Sequence, residues 1–215
     1  MRFLDRRDAG RRLAERLATE ALVEPIVLVL PRGGVPVGHE VALALGAPLE
    51  VFVARKVGAP HQPEYGIGAI AEGGTQVMDD RAVQALGLSA AALGRLVAVE
   101  QEELDRRVAR YRHGRPLPDL VGRTVIVVDD GLATGVTAEA ALRALHDHRP
   151  GRVVLAVPVC APETAARLRG VADDVICLHS PAGFAAVGVW YERFDQTTDE
   201  EVDQLLADAT HQSVR

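Results

Sequence analysis

Four short runs of apolar, largely β-branched residues, 26–30, 49–54, 125–128 and 153–157, with a shorter fifth at 175–178, alternate with segments of helical period. Each run has strand length and lacks the polar alternation of a half-exposed strand, as expected where both faces are buried. Between them, Leu13, Leu17 and Ala21 share one helix face; Val37, Val41 and Leu45 share a second; Ala138, Ala141, Leu142 and Leu145 share a third. Apolar strands alternating with helices predict an α/β fold: an open, mostly parallel sheet with helices on both faces. Ligands of such folds sit beyond the carboxyl ends of the strands, so chemistry-bearing residues are sought there.

The rhythm breaks between residues 79 and 119. Leu93, Val97, Leu104, Val108 and Tyr111 fall on one face of a long helix bordered by Glu100 and Arg107, and Pro116 and Pro118 are expected to end it. This stretch reads as a helical insertion within a single domain spanning 1–215. Near the end, Thr198 and Glu201 form a capping box opening a helix that buries Val202, Leu205, Leu206 and Ala209.

The formal net charge of -6 speaks against nucleic acid as a partner, since binding a phosphate backbone needs a basic face. The first residues read as an amphipathic helix without a signal-peptide core, and no stretch approaches a membrane span. Cys160 and Cys177 lie in apolar runs without metal-ligand spacing. They read as two buried thiols in a reducing, cytoplasmic setting. Lys56 is the only lysine among 24 basic residues, which singles it out.

The most informative segment is Val125-Ile-Val-Val-Asp129-Asp130-Gly-Leu-Ala133-Thr134-Gly135-Val136-Thr137, followed directly by an amphipathic helix. A buried strand ends in two carboxylates, delivering both to the ligand edge of the sheet. Small residues then form a tight loop whose amides can converge on an anion, and the helix adds its N-terminal dipole. A phosphate in the loop and a hydroxyl-rich or metal-bearing group facing the acids satisfy both halves, as phosphorylated ribose would. A Walker loop would need lysine where Val136 stands, and the dinucleotide fingerprint needs glycines at spacings absent here. The plain alternative is a strand-to-helix turn with solvated acids.

This segment resembles the 5-phosphoribosyl-1-pyrophosphate (PRPP) motif of the type I phosphoribosyltransferases, in which two acids precede a Thr-Gly-x-Thr loop. The match is complete at Asp129, Asp130, Thr134, Gly135 and Thr137. The resemblance implies that Asp129 and Asp130 hold the ribose hydroxyls and assist Mg²⁺, which is bound partly through the substrate, while residues 133–137 wrap the 5-phosphate. Most of the chain also resembles a subgroup of predicted phosphoribosyltransferases sharing its Pro-Arg-Gly-Gly and Arg-Lys segments. The loop after the first core strand, Arg32-Gly33-Gly34, then corresponds to the pyrophosphate loop, and a small C-terminal hood-like segment is expected.

Lys56 is read at the ligand edge of the second strand, where with Arg32 and Asp130 it would act on the leaving pyrophosphate. Residues 57–68 have loop chemistry and correspond to a mobile loop or hairpin that closes over PRPP, offering His61, Glu64 and Tyr65. Family members acting on 6-oxopurines carry an acid just before the Thr-Gly pair; Ala133 stands there, which argues against hypoxanthine and guanine. The acceptor is sought at Phe184, Trp190 and Tyr191, in a run holding four of the eight aromatic residues. The expected activity is Mg²⁺-dependent transfer of phosphoribosyl from PRPP to an unidentified nitrogen acceptor. The alternative is a non-catalytic PRPP-binding regulator. No nucleic acid or membrane partner is expected, and a homo-oligomer is left open.

Overall fold

The sheet forms where the sequence pattern concentrates its apolar runs. In the computed structural model, which describes residues 1–212, the elements follow in chain order. They are α1 (Arg6–Leu17), β1 (Ile26–Val29), α2 (Gly34–Leu45), β2 (Leu49–Val51), β3 (Ala54–Ala59), β4 (Gln62–Ala71), β5 (Gln76–Met78), α3 (Asp80–Ala85), α4 (Ala90–Arg112), β6 (Thr124–Val128), α5 (Val136–His146), β7 (Arg152–Val159), α6 (Pro162–Leu168), β8 (Asp174–His179) and α7 (Asp199–Gln212). Five strands form one parallel sheet in the order β2-β1-β6-β7-β8. The parallel α/β fold is the one that the apolar alternation predicts.

Alternate residues of these strands enter two cores. Val27, Val29, Ile126, Val128 and Val154 pack beneath α1, α2 and α7. Ile26, Leu28, Val125, Val127 and Leu155 face the other way, toward α5 and α6. Full burial of each such side chain is worth about 1.5–3 kcal/mol, so the two faces together supply most of the driving force. The N-cap half of the capping box forms: Thr198 Oγ1 accepts from the Glu201 amide at 3.1 Å, and Val202, Leu205, Leu206 and Ala209 are buried.

Several local expectations change. Helix α1 stops at Leu17, where Thr19 Oγ1 donates to the Arg16 carbonyl, so Ala21 is exposed beyond its end. Helix α4 ends at a left-handed His113 (φ 50°) followed by Gly114 (φ 78°), before either proline. The run 49–54 is not one strand. Its chain leaves the parallel sheet after Val51 and enters a separate antiparallel sheet, β3-β4-β5. Lys56 therefore sits inside a hairpin, paired with Ala69, and not at the parallel sheet's ligand edge. The hairpin spans most of the segment read as a closing loop, with His61, Glu64 and Tyr65 exposed at its tip.

Cys160 and Cys177 are not separate thiols. The β7–β8 register places Val157 opposite Cys177, which brings the two cysteines to one end of neighbouring strands with Cα atoms 6.4 Å apart, joined as a disulfide. The argument from free thiols to a reducing compartment loses its premise. Among the described residues no helix is long and apolar enough to cross a membrane.

The antiparallel sheet is tied to α4 by a buried ion pair. Arg112 on the last turn of α4 meets Glu72, whose other oxygen accepts the Val53 amide at 2.6 Å. Burial raises the Glu72 carboxyl above its ordinary range, against the pull of the Val53 amide and of Arg112. Removing the cation leaves a buried carboxylate uncompensated. Arg112→Ala is expected to lower unfolding free energy by about 3–5 kcal/mol in urea titration.

His39 on α2 is buried, and neither ring nitrogen has a partner among the described residues. Burial pushes its pKa down, Arg7 adds to that, and Glu40 and Asp208 oppose it. The neutral ring is thus favoured in the fold, so its contribution is intact above the unfolded pKa and is lost as pH falls below about 6.5. His39→Leu is expected to reduce the loss of thermal stability between about pH 7 and pH 5 relative to wild type, read by calorimetric Tm.

Candidate functional site

The chain from β1 runs outward to β2, while the chain from β6 runs the other way to β7 and β8. The two loops that leave the adjacent strands β1 and β6 therefore diverge above the sheet and open a crevice, where open α/β folds bind ligands. Both sequence motifs lie on those loops: 30–34 after β1 and 129–137 after β6.

The loops are stitched together before they part. The Leu30 amide donates to the Val128 carbonyl at 2.9 Å, and the Gly34 amide to the Leu30 carbonyl at 3.1 Å. A Cβ on Gly33 would overlap the Asp130 carboxylate, and one on Gly34 would stand 2.7 Å from the Val128 carbonyl oxygen. The two glycines thus let the start of α2 lie directly on the acidic strand end. The Pro31–Arg32 peptide between them and β1 is cis.

The loop between β6 and α5 is held from behind by α6. Thr164 Oγ1 donates to the Ala133 carbonyl at 2.6 Å, and Arg167 donates to the Thr134 carbonyl while pairing with Glu139 of α5. Gly135 takes φ 65°, and a Cβ there would lie 2.5 Å from Thr164 Cγ2. With their carbonyls engaged, the amides of Ala133, Thr134, Gly135, Val136 and Thr137 have no acceptor among the described residues. Five successive free donors at a helix N-terminus make an anion seat. Thr134 is exposed and Thr137 half-buried beside it.

The acids themselves are strained electrostatically. Burial pushes the Asp129 carboxyl well above its usual range, and the neighbouring Asp130 charge adds to this. Burial also raises Asp130, offset by Arg6, whose Nε donates to Asp130 Oδ2 at 2.8 Å. Asp129 Oδ1 accepts the Asp130 amide at 2.8 Å. Arg32, half-buried, leans toward Asp199 at 3.8 Å, where the Tyr111 hydroxyl also donates. Among the described residues no three His, Cys, Asp or Glu side chains gather in a metal site. The acidic pair suits a divalent cation that brings most of its oxygen ligands on a bound phosphate, as Mg²⁺ does, and not a cation held by protein alone.

A hood covers the strand ends, built by the segment around Phe3 together with residues 184–194. Phe3 pairs with Tyr191 in a parallel bridge, and the Phe3 amide donates to the Trp190 carbonyl at 2.8 Å. Tyr191 is enclosed, its ring tilted on Phe3 and stacked on Phe194 at 5.0 Å, and its hydroxyl donates to the Asp130 carbonyl at 2.6 Å. Burial pushes that hydroxyl's pKa up. Trp190 lies edge-on to His179 at 4.8 Å with its Nε1 buried and without a partner among the described residues, and Phe184 is half-buried against the Phe3 cluster. Of the three aromatics sought for the acceptor, Tyr191 thus has no face open to stacking. Lys56 is not brought to the acids: its Nζ meets the Glu64 carbonyl at 3.2 Å and the Glu64 carboxylate at 3.3 Å within its own hairpin. Arg6, Thr164 and Arg167 were not legible as site residues, because each reaches the site from an element whose local pattern reads as ordinary helix, whereas Phe194 lies in the aromatic run already singled out.

The chain matches the family described as phosphoribosyl transferase domain over residues 4–192. It belongs to that family. A Mycobacterium tuberculosis relative named "Putative phosphoribosyl transferase" is 50% identical over 204 residues, covering 95% of this chain and 46% of its own length. The chain thus spans about half the length of that curated relative. The crystal structure of TT1426 from Thermus thermophilus superposes with a TM-score of 0.82 at 47% identity, covering 97% of this chain and 99% of that one. A uracil phosphoribosyltransferase of Aquifex aeolicus is 33% identical over 97 residues, covering 45% of this chain and 40% of its own.

The close approach of the two loops gives the site its sharpest test. Gly33→Ala is expected to displace Asp130 and, if the crevice receives the family's substrate PRPP, to weaken its binding by about 100-fold or more in calorimetry, a loss of about 2.7 kcal/mol. Circular dichroism should remain that of the wild type. Wild-type affinity in this variant would mean that the acidic pair does not hold the ligand.

Proposed function

We propose that this chain is a phosphoribosyltransferase that moves the 5-phosphoribosyl group of PRPP to a nitrogen acceptor and releases pyrophosphate. The observation that carries this reading is the free-amide loop 133–137 set beside the acidic pair at the sheet's switch point. The 5-phosphate takes the loop amides, the ribose hydroxyls take Asp129 and Asp130, and the pyrophosphate lies toward Arg32, Gly33 and Gly34. Asp129 and Asp130 would help hold Mg²⁺ carried on PRPP, which would supply charge neutralisation to the leaving pyrophosphate. The described residues, 1–212, are read as one unit, with 79–119 inserted in it.

The protein's own contribution is positioning and electrostatic stabilisation. Displacement at the anomeric carbon builds cationic character on the ribose and negative charge on the departing pyrophosphate. Arg32 supplies a fork of donors to that charge. Lys56 reaches it when the β3–β4 hairpin folds over the substrate, exchanging Glu64 for a phosphate oxygen. Because that charge grows toward the transition state, Lys56→Ala is expected to lower kcat roughly 10- to 100-fold while changing PRPP affinity less. Unchanged kcat would remove Lys56 from the mechanism.

The deciding experiment measures pyrophosphate release from PRPP and Mg²⁺ across nucleobases and amines, with uracil as the first base because of the shared stretch with the Aquifex aeolicus relative. Release is expected with one or more acceptors. None is expected with hypoxanthine or guanine, since Ala133 cannot exchange a proton with a 6-oxopurine ring. PRPP binding without turnover on any acceptor would favour a PRPP-binding regulator instead.

A further inference from the structure

Arg6 lies in the first turn of α1, far from the acidic pair in sequence, yet it makes the pair's one side-chain ion pair among the described residues. Its Nε donates to Asp130 Oδ2 at 2.8 Å, with side-chain exposures of 12% and 14%. Its Nη1 donates to the Asp195 carbonyl at 2.6 Å, and the guanidinium lies 3.9 Å from the centre of the Phe194 ring. Phe194 in turn stacks on Tyr191, whose hydroxyl donates to the Asp130 carbonyl at 2.6 Å. Asp130 is therefore gripped at its side chain by Arg6 of α1, which Phe194 and Asp195 back, and at its backbone by Tyr191 of the hood.

The geometry divides the Asp130 carboxylate. Oδ2 is occupied by Arg6, whereas Oδ1 accepts no hydrogen bond from another residue among the described residues. We infer that Arg6 is a positioning residue for substrate: it fixes Asp130 from α1 so that Oδ1 is presented to a hydroxyl of the phosphoribosyl group. This inference builds on the PRPP reading of the site. Arg6 has three anchors, a carboxylate, a carbonyl and an aromatic face, so it is held as a strut and not as a loose counter-ion that substrate displaces. A planar fork is needed to reach carboxylate and carbonyl together, which a lysine's single point charge does incompletely.

The test is a double-mutant cycle on PRPP binding, by calorimetry with Mg²⁺, using wild type, Arg6→Met, Asp130→Asn and the double variant. Arg6→Met is expected to weaken PRPP about 10-fold or more, and Arg6→Lys to recover part of the loss. The double variant is expected to bind no more weakly than Asp130→Asn alone, because Arg6 acts through Asp130. Additive losses would show an indirect structural effect and overturn the inference. Unchanged affinity in Arg6→Met would do the same, and tighter affinity would show a displaceable counter-ion instead. If Arg6→Met fails to fold by circular dichroism, Arg6→Lys and its double variant carry the cycle. Should Asp130→Asn bind PRPP as well as wild type, or wild type not bind it, the underlying reading of the site fails first, and the Arg6 inference with it.

Discussion

The close contact between the start of α2 and the end of β6 is the constraint around which the rest of the site is arranged. Neither Gly33 nor Gly34 can carry a side chain without meeting the Asp130 carboxylate or the Val128 carbonyl. That contact fixes the spacing between the two loops leaving the adjacent strands β1 and β6. With it fixed, the anion seat at 133–137 and the donors at 32–34 face a common crevice. The carbonyl side of the loop before α5 is then secured by α6, through Thr164 and Arg167, which leaves the amide side available. Backbone packing thus decides where charge can be received.

That arrangement has an electrostatic cost. Asp129 and Asp130 are adjacent, largely withdrawn from water, and both have their pKa raised by burial. Two such carboxyls contribute little to stability by themselves. The protein offsets this with the Asp130 amide on Asp129, Arg6 on Asp130 and the Tyr191 hydroxyl on the Asp130 carbonyl. The hood has a second role beyond covering the crevice. Phe3, joined to the 190–193 segment by hydrogen bonds, and Phe194, under the Arg6 guanidinium, make it part of the support for the acids.

The antiparallel sheet shows a different design. It packs beside α5 and carries Lys56 on a hairpin whose tip is exposed, while its base is fixed to α4 through Glu72 and Arg112. A firm base and a solvent-exposed tip suit an element that hinges as a unit. The disulfide between Cys160 and Cys177 braces the opposite side, where β7 and β8 end and the hood begins.

The sequence alone determined the parallel α/β class, because burial on both faces of a strand demands continuous apolar residues, and such runs are visible one by one. It also showed an acidic pair at a strand end and a small-residue loop leading into α5, since both are local: strand, acids, small residues and helix follow in one contiguous stretch. The N-cap and buried face of α7 were legible for the same reason. Only the tertiary structure decided that Lys56 leaves the parallel sheet, because an apolar run cannot show where a strand changes partners. It likewise decided that the cysteines meet, a matter of register between β7 and β8 and not of spacing. Arg6, Thr164 and Arg167 became site residues only when folding brought distant elements onto one crevice, and no local period or propensity encodes a contact across that distance.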